Sequence, residues 1–202
     1  MFKIITHWTV AAITALLLLF AHYQDSTVVE TLRLKQFDLL QQNDTPQLSQ
    51  DIGVVAIDEA AITKFGQWPW KRDVLAELIW QLREQGAGVI VLPIIMSEED
   101  RLGGDMDLAQ ALVDNAVVIA QTGSTQVDRN GVPRGVAKIG DPLPYLYEWD
   151  GMLGPIPLLG DNAPGVGVVN TAEEIDGVVR RVPLIMRIGD ETYPAIAVEV
   201  IR

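Results

Sequence analysis

The chain has 202 residues, 49% of them hydrophobic, with 15 Lys+Arg against 27 Asp+Glu and no cysteine. That apolar content excludes intrinsic disorder, and the missing cysteines exclude disulfide scaffolds, thiolate zinc sites, iron–sulfur clusters and a cysteine nucleophile. A formal charge of −12 speaks against nucleic acid, whose phosphates are bound by Lys and Arg releasing counterions.

In chain order, residues 4–23 (IITHWTVAAITALLLLFAHY) come first and hold no Asp, Glu, Lys or Arg. As a helix rising ~1.5 Å per residue they would span ~30 Å, the hydrocarbon core of a bilayer. Residues 1–24 are therefore expected to be an N-terminal transmembrane signal anchor, with His7, Trp8, His22 and Tyr23 near the interfaces. Lys3 precedes the segment, which puts the N-terminus in the cytoplasm and everything after residue 24 on the far side of the membrane. No small-residue cleavage site follows the leucine run, so retention of the anchor is expected. Only Lys3 among the basic residues precedes position 25, so the exported part carries 14 basic and 27 acidic residues, a net charge of −13.

Residues 24–50 read as a helix-capable connector, started by Asp25-Ser26 and stopped by Asn43-Asp44-Thr45-Pro46. Residues 52–57 (IGVVAI) are short, apolar and β-branched, a buried strand. The turn Gly66-Gln67-Trp68-Pro69-Trp70 leads into a helix over 71–85, whose apolar stripe is Val74, Leu75, Leu78, Ile79 and Leu82 and whose stop is Gly86. A strand follows at 88–95 (GVIVLPII), where Pro93 implies a strand end or a sheet edge. Next come a helix over 105–115, with Leu108, Ala109, Ala111 and Leu112 inward, and a strand at 116–121. This β-α-β-α-β order implies a parallel core.

Past Gln121 prolines crowd residues 133–164, Asn130-Gly131 marks a turn, and Tyr145, Tyr147 and Trp149 are candidate anchors. Strands are expected at 165–170 and 178–188, and an apolar helix opens at Pro194. The fold class is thus α/β: a mixed sheet with a parallel core and an antiparallel C-terminal part, flanked by helices and preceded by one transmembrane helix.

Both histidines, His7 and His22, lie in the apolar N-terminal segment, which leaves no Ser/His/Asp triad and no His-based metal site elsewhere. The Gly165-Val166-Gly167 and Gly103-Gly104 clusters fit no nucleotide-binding fingerprint and read as turns or close-packed positions. Asp105-Met106-Asp107 lacks the rest of a calcium loop. Ligands of open α/β sheets sit at the carboxyl ends of strands. There Asp58-Glu59, Ser97-Glu98-Glu99-Asp100 and Thr122-Gly123-Ser124 should converge, able to bind a cation or the amine or hydroxyls of a small solute. Trp68 and Trp70 read either as an aromatic box or as packing around the start of a helix. Arg72, in a first helical turn, calls for a carboxylate such as Asp58.

Several of these segments resemble one known family. They are Val54-Val55-Ala56-Ile57-Asp58-Glu59, Gly66-Gln67-Trp68-Pro69-Trp70-Lys71-Arg72, Val168-Val169-Asn170, Asp176-Gly177-Val178-Val179-Arg180-Arg181 and Tyr193-Pro194-Ala195-Ile196-Ala197. Together they resemble the CHASE domain, type two, an extracytoplasmic sensory domain of bacterial nucleotide cyclases, kinases and cyclic-dinucleotide enzymes. The resemblance implies a sensor and not an enzyme, with a cytoplasmic output domain expected in a longer receptor, of which this chain is a fragment or a truncated form. It also implies receptors that commonly act as homodimers. It departs at Leu92-Pro93, where the family's strand often ends in Phe-Asp.

The pocket or scaffold candidates are Asp58, Trp68, Trp70, Arg72, Asp100, Asn170, Asp176 and Arg180. No cofactor and no metal are expected; the partners are an unidentified small ligand or an envelope protein, and the membrane. Two other classes compete: an exported acid/base enzyme using Asp58 and Asp100, and an anchored interaction module of the cell envelope.

Overall fold

A computed structural model describes residues 8–23, 27–43, 49–126, 130–135 and 139–202. Lys3, His7, the Asp25-Ser26 cap, the Asp44-Thr45-Pro46 stop and Asp128 lie outside the described residues. The helices are α1 (Trp8–Tyr23), α2 (Thr27–Gln42), α3 (Glu59–Phe65), α4 (Arg72–Glu84), α5 (Asp105–Asp114), α6 (Pro157–Asn162) and α7 (Ile196–Ile201). The strands are β1 (Ile90–Ile95), β2 (Val117–Ser124), β3 (Tyr147–Glu148), β4 (Gly151–Leu153), β5 (Gly165–Val168), β6 (Ala172–Glu173), β7 (Val179–Arg181), β8 (Ile185–Ile188) and β9 (Glu191–Pro194). Two compact units result, residues 1–55 with 173–178, and residues 56–172 with 179–202.

The first unit holds α1 and α2. Glu30 lies in the first turn of α2, where a carboxylate suits the helix dipole, and it pairs with Arg33 one turn on. Leu34 is buried. Residues 174–178 form a tight turn in which Gly177, at φ +75°, donates its N–H to the Glu174 carbonyl at 2.8 Å.

The expected transmembrane helix is not supported. Among the described residues no helix is long and apolar enough to cross a membrane. With 16 residues, α1 reaches only ~24 Å at ~1.5 Å per residue, short of the ~30 Å hydrocarbon core.

In the second unit β1, β2 and β5 form a parallel sheet in that order, and β4 pairs antiparallel with the end of β2. α4 and α5 pack on each other, and their buried residues, with those of α6, join the sheet in one core. Leu75, Ala76 and Ile79 of α4 and Leu108, Ala109, Ala111 and Leu112 of α5 are buried, the faces their spacing predicts. Full burial of Leu108 and Leu112 contributes about 1.5–3 kcal/mol each. At the end of α4 the Gly86 N–H reaches the Arg83 carbonyl and the Ala87 N–H the Leu82 carbonyl, both at 3.0 Å. This is a Schellman stop, with Gly86 at φ +95°.

Pro93 sits where the β1–β2 register slips, between Leu92↔Ile119 and Ile95↔Ala120. A residue with no N–H is tolerated on an edge strand at a bulge, and Pro93 has both. A second, smaller core (Met152, Val168, Met186, Ile188 and Tyr193) lies where β4 and β5 meet the β3-β8-β9 sheet.

Three further expectations are corrected. Residues 52–57 form no strand: Ile52, Val54 and Val55 are exposed and no ladder partner engages them. The third parallel strand is instead β5, beside β2. The strand expected over 178–188 breaks at Val182-Pro183-Leu184 into β7 and β8, because proline cannot donate to a ladder. Tyr145 is 89% exposed and anchors nothing; of the three aromatics there, Trp149 packs against the second core.

Candidate functional site

A cavity of about 570 Å³ opens beyond the carboxyl end of β1, within the size range of small-ligand sites. Its walls are the Trp68-Pro69-Trp70 turn, the end of β1 with the following loop through Leu102, and Arg72 and Leu75 of α4. The bulge at Pro93 redirects the strand end: Met96 turns into the core at 3% exposure, and its carbonyl accepts the Ile156 N–H at 2.8 Å. Ser97 to Leu102 are then carried across the sheet's end.

The turn is aromatic by construction. The Trp68 and Trp70 rings meet edge to face with centroids 5.6 Å apart, and the Phe65 ring lies 5.2 Å from that of Trp70. The Trp70 indole N–H donates to the Gly66 carbonyl at 2.8 Å, which closes the turn and fixes that ring. Both tryptophans remain half-buried.

Arg72 staples the site together. Its guanidinium pairs with the Asp105 carboxylate and donates to the Glu98 carbonyl. Its backbone N–H donates to Asp100 Oδ2 at 2.8 Å, the Leu102 N–H donates to Asp100 Oδ1 at 3.0 Å, and the Asp100 N–H donates to Asp105 Oδ2 at 3.0 Å. One arginine and two aspartates thus join the first turn of α4, the loop after β1 and the first turn of α5. Gly104 lets these backbones meet: it sits at φ +101°, and a Cβ there would lie 2.5 Å from the Asp73 nitrogen. Burial alone pushes the Asp100 carboxyl up, but the Leu102 and Arg72 N–H groups and the charges of Arg72 and Lys71 together hold it below its ordinary pKa.

The candidates therefore separate. Trp68, Trp70, Arg72 and Asp100 come together around the cavity. Asp58 does not line it and does not pair with Arg72; it caps α3, accepting the Ala61 N–H at 2.9 Å. Because residues 52–57 never enter the sheet, Asp58 does not reach the sheet's carboxyl end. Asn170 bonds Thr122 and the backbone of Gly123, latching β2 to the chain leaving β5. Asp176 accepts the Val178 N–H at 3.3 Å inside its turn. Arg180 is a half-buried residue of β7. Asp58 and Asp100 share no site and each already accepts backbone N–H groups, so the acid/base pairing has no geometry behind it.

Glu98 was legible as one of the acids expected at the sheet's carboxyl end, and Asp105 only as half of a failed calcium motif. The one available signal for Asp105 is its place in the first turn of a helix, next to a glycine pair that permits close approach. Gln121, fully buried, pairs through its amide with both backbone groups of Val132 at 2.9 and 3.1 Å, and nothing in the sequence announced it. Among the described residues no group of three or more His, Cys, Asp or Glu is arranged to hold a metal ion.

Compared with known proteins, residues 10–202 match the family model described as the CHASE2 domain. No curated protein and no solved structure matches the chain.

Proposed function

The chain belongs to the CHASE2 domain family, extracytoplasmic sensory domains associated with cytoplasmic output domains, and from that premise we propose that residues 25–202 form the signal-input domain of a bacterial receptor, working in the periplasm. The output it feeds is a nucleotide cyclase, a kinase or a cyclic-dinucleotide enzyme. The observation that carries a ligand-driven input is the cavity at the end of β1, whose wall is bonded to the first turns of two helices. An occupant that favours one arrangement of this joint over another by about 1.4 kcal/mol shifts the two populations tenfold. That displacement of α4 and α5 is the event passed on.

The test is made in cells carrying the complete receptor gene. Trp68→Ala removes half of the aromatic wall without touching the Arg72 staple. We expect second-messenger or phosphotransfer output to change at least threefold at unchanged protein level. Unaltered output in Trp68→Ala and in a Glu98→Gln/Glu99→Gln variant would overturn the assignment of the cavity as the input site.

A further inference from the structure

We infer that the occupant of this cavity is a small organic cation, an ammonium group seated against the Trp68 and Trp70 rings with Glu98 and Glu99 supplying the counter-charge. The inference rests on the cavity being the input site.

Two non-parallel indoles form a corner, 67° between ring planes. Indole faces attract a cation within about 6 Å of the ring centroid, and alkylammonium groups gain there from both charge and apolar contact. The charges of the lining point the same way. Arg72 is committed to Asp105 and the Glu98 carbonyl, and Asp100 to two backbone N–H groups. Glu98 and Glu99 line the cavity, are exposed, and make no side-chain hydrogen bond or ion pair among the described residues. Against them stands Arg101, an exposed side chain at the rim. The balance around the open space is negative, on a chain of net charge −12, which raises the local concentration of cations.

Neutral sugars would want polar side chains fanned over an aromatic face. Here the carboxylates of Glu98 and Glu99 stand beside Ser97 and Arg101, backed by Leu75, Ile94 and Met96. A metal ion would favour three or more clustered His, Cys, Asp or Glu side chains, and the described residues offer no such group. Anions would find Arg101 alone. A compact ammonium with methyl or methylene substituents satisfies the carboxylates, the rings and the aliphatic floor together.

The experiment titrates the full chain with tetramethylammonium chloride, following tryptophan fluorescence and calorimetric heat. Neopentyl alcohol, its neutral counterpart in shape, and sodium acetate serve as comparisons. Saturable tetramethylammonium binding is expected, weakened at least tenfold by Glu98→Gln/Glu99→Gln and by Trp68→Leu. Binding should also weaken as sodium chloride is raised, because exposed charges are screened. The glutamines sit at exposed positions, so the melting temperature of that variant should stay unchanged. Equal binding of neopentyl alcohol, preference for acetate, or no saturable binding of tetramethylammonium overturns the inference. The underlying reading fails separately: tetramethylammonium that binds in vitro yet leaves receptor output unchanged refutes the input site and leaves the ligand class standing. Output that responds to Trp68→Ala without any ammonium binding refutes the ligand class alone.

Discussion

Removing the Asp105 carboxylate tests whether the Arg72 staple holds the site together. The side chains of Arg72 and Asp105 are 10% and 19% exposed, so the pair is shielded from water and weakly screened. In Asp105→Ala the guanidinium keeps its Glu98 carbonyl bond but loses its counter-charge, and the Asp100 N–H loses its acceptor. Breaking a buried pair from one side costs about 3–5 kcal/mol. The residual exposure puts this one at the lower end, about 3 kcal/mol. Arg72→Met keeps the aliphatic stem, and the Asp105 carboxylate it leaves behind still accepts the Asp100 N–H at the start of α5, so about 1–2 kcal/mol is expected. The double variant should cost less than the two singles added together, with a coupling of about 1–2 kcal/mol. Urea unfolding reads these differences: with a slope of about 2–3 kcal/mol per molar, Asp105→Ala moves the midpoint by about 1 M. Strict additivity within about 0.3 kcal/mol would refute the idea that the two side chains act as one staple.

Two further outcomes follow from the same geometry. Asp100 is held below its ordinary pKa of 3.8 in the folded chain, so the unfolded chain takes up that proton first as pH falls. Its contribution to stability is complete above the unfolded value and is lost as pH drops through the folded one. Asp100→Asn should therefore flatten the fall of melting temperature below pH 3.8, and an unchanged acid slope would contradict the assignment. Gly167→Ala would place a Cβ 2.3 Å from the Ile196 Cα, a backbone atom that can yield only if α7 moves. A loss of about 1–3 kcal/mol is expected by thermal or urea unfolding, and a variant as stable as the parent would show that α7 does not press on β5.

Where local periodicity decides structure, the sequence could be read directly. The stripes of α4 and α5, the Gly86 stop and the edge position of Pro93 each depend on a few neighbouring residues. The apolar run at 52–57 misled, because a β-branched segment becomes a strand only when a ladder accepts it. In the apolar run at 4–23 the described helix covers 16 residues, and crossing a membrane needs helical length as well as apolar composition. At the site, Trp68, Trp70, Arg72 and Asp100 were legible because a turn and a strand end are local features. The partner of Arg72 was not. Asp105 lies 33 residues away, and its approach depends on the two glycines before α5. Gln121 illustrates the same limit, since its amide completes the backbone of a segment eleven residues on.

The loop from Glu98 to Leu102 is fastened almost wholly by its backbone and by Asp100. The Glu98 carbonyl, the Asp100 and Leu102 N–H groups and the Asp100 carbonyl make the anchoring bonds. The side chains of residues 98, 99, 101 and 102 are left as display positions, presented by a fixed frame but not needed by it. Substitutions there leave the core of α4, α5 and the sheet untouched. Such a scaffold can exchange one ligand for another over evolutionary time without refolding, and a library randomised at those four positions would sample new specificities at nearly constant stability.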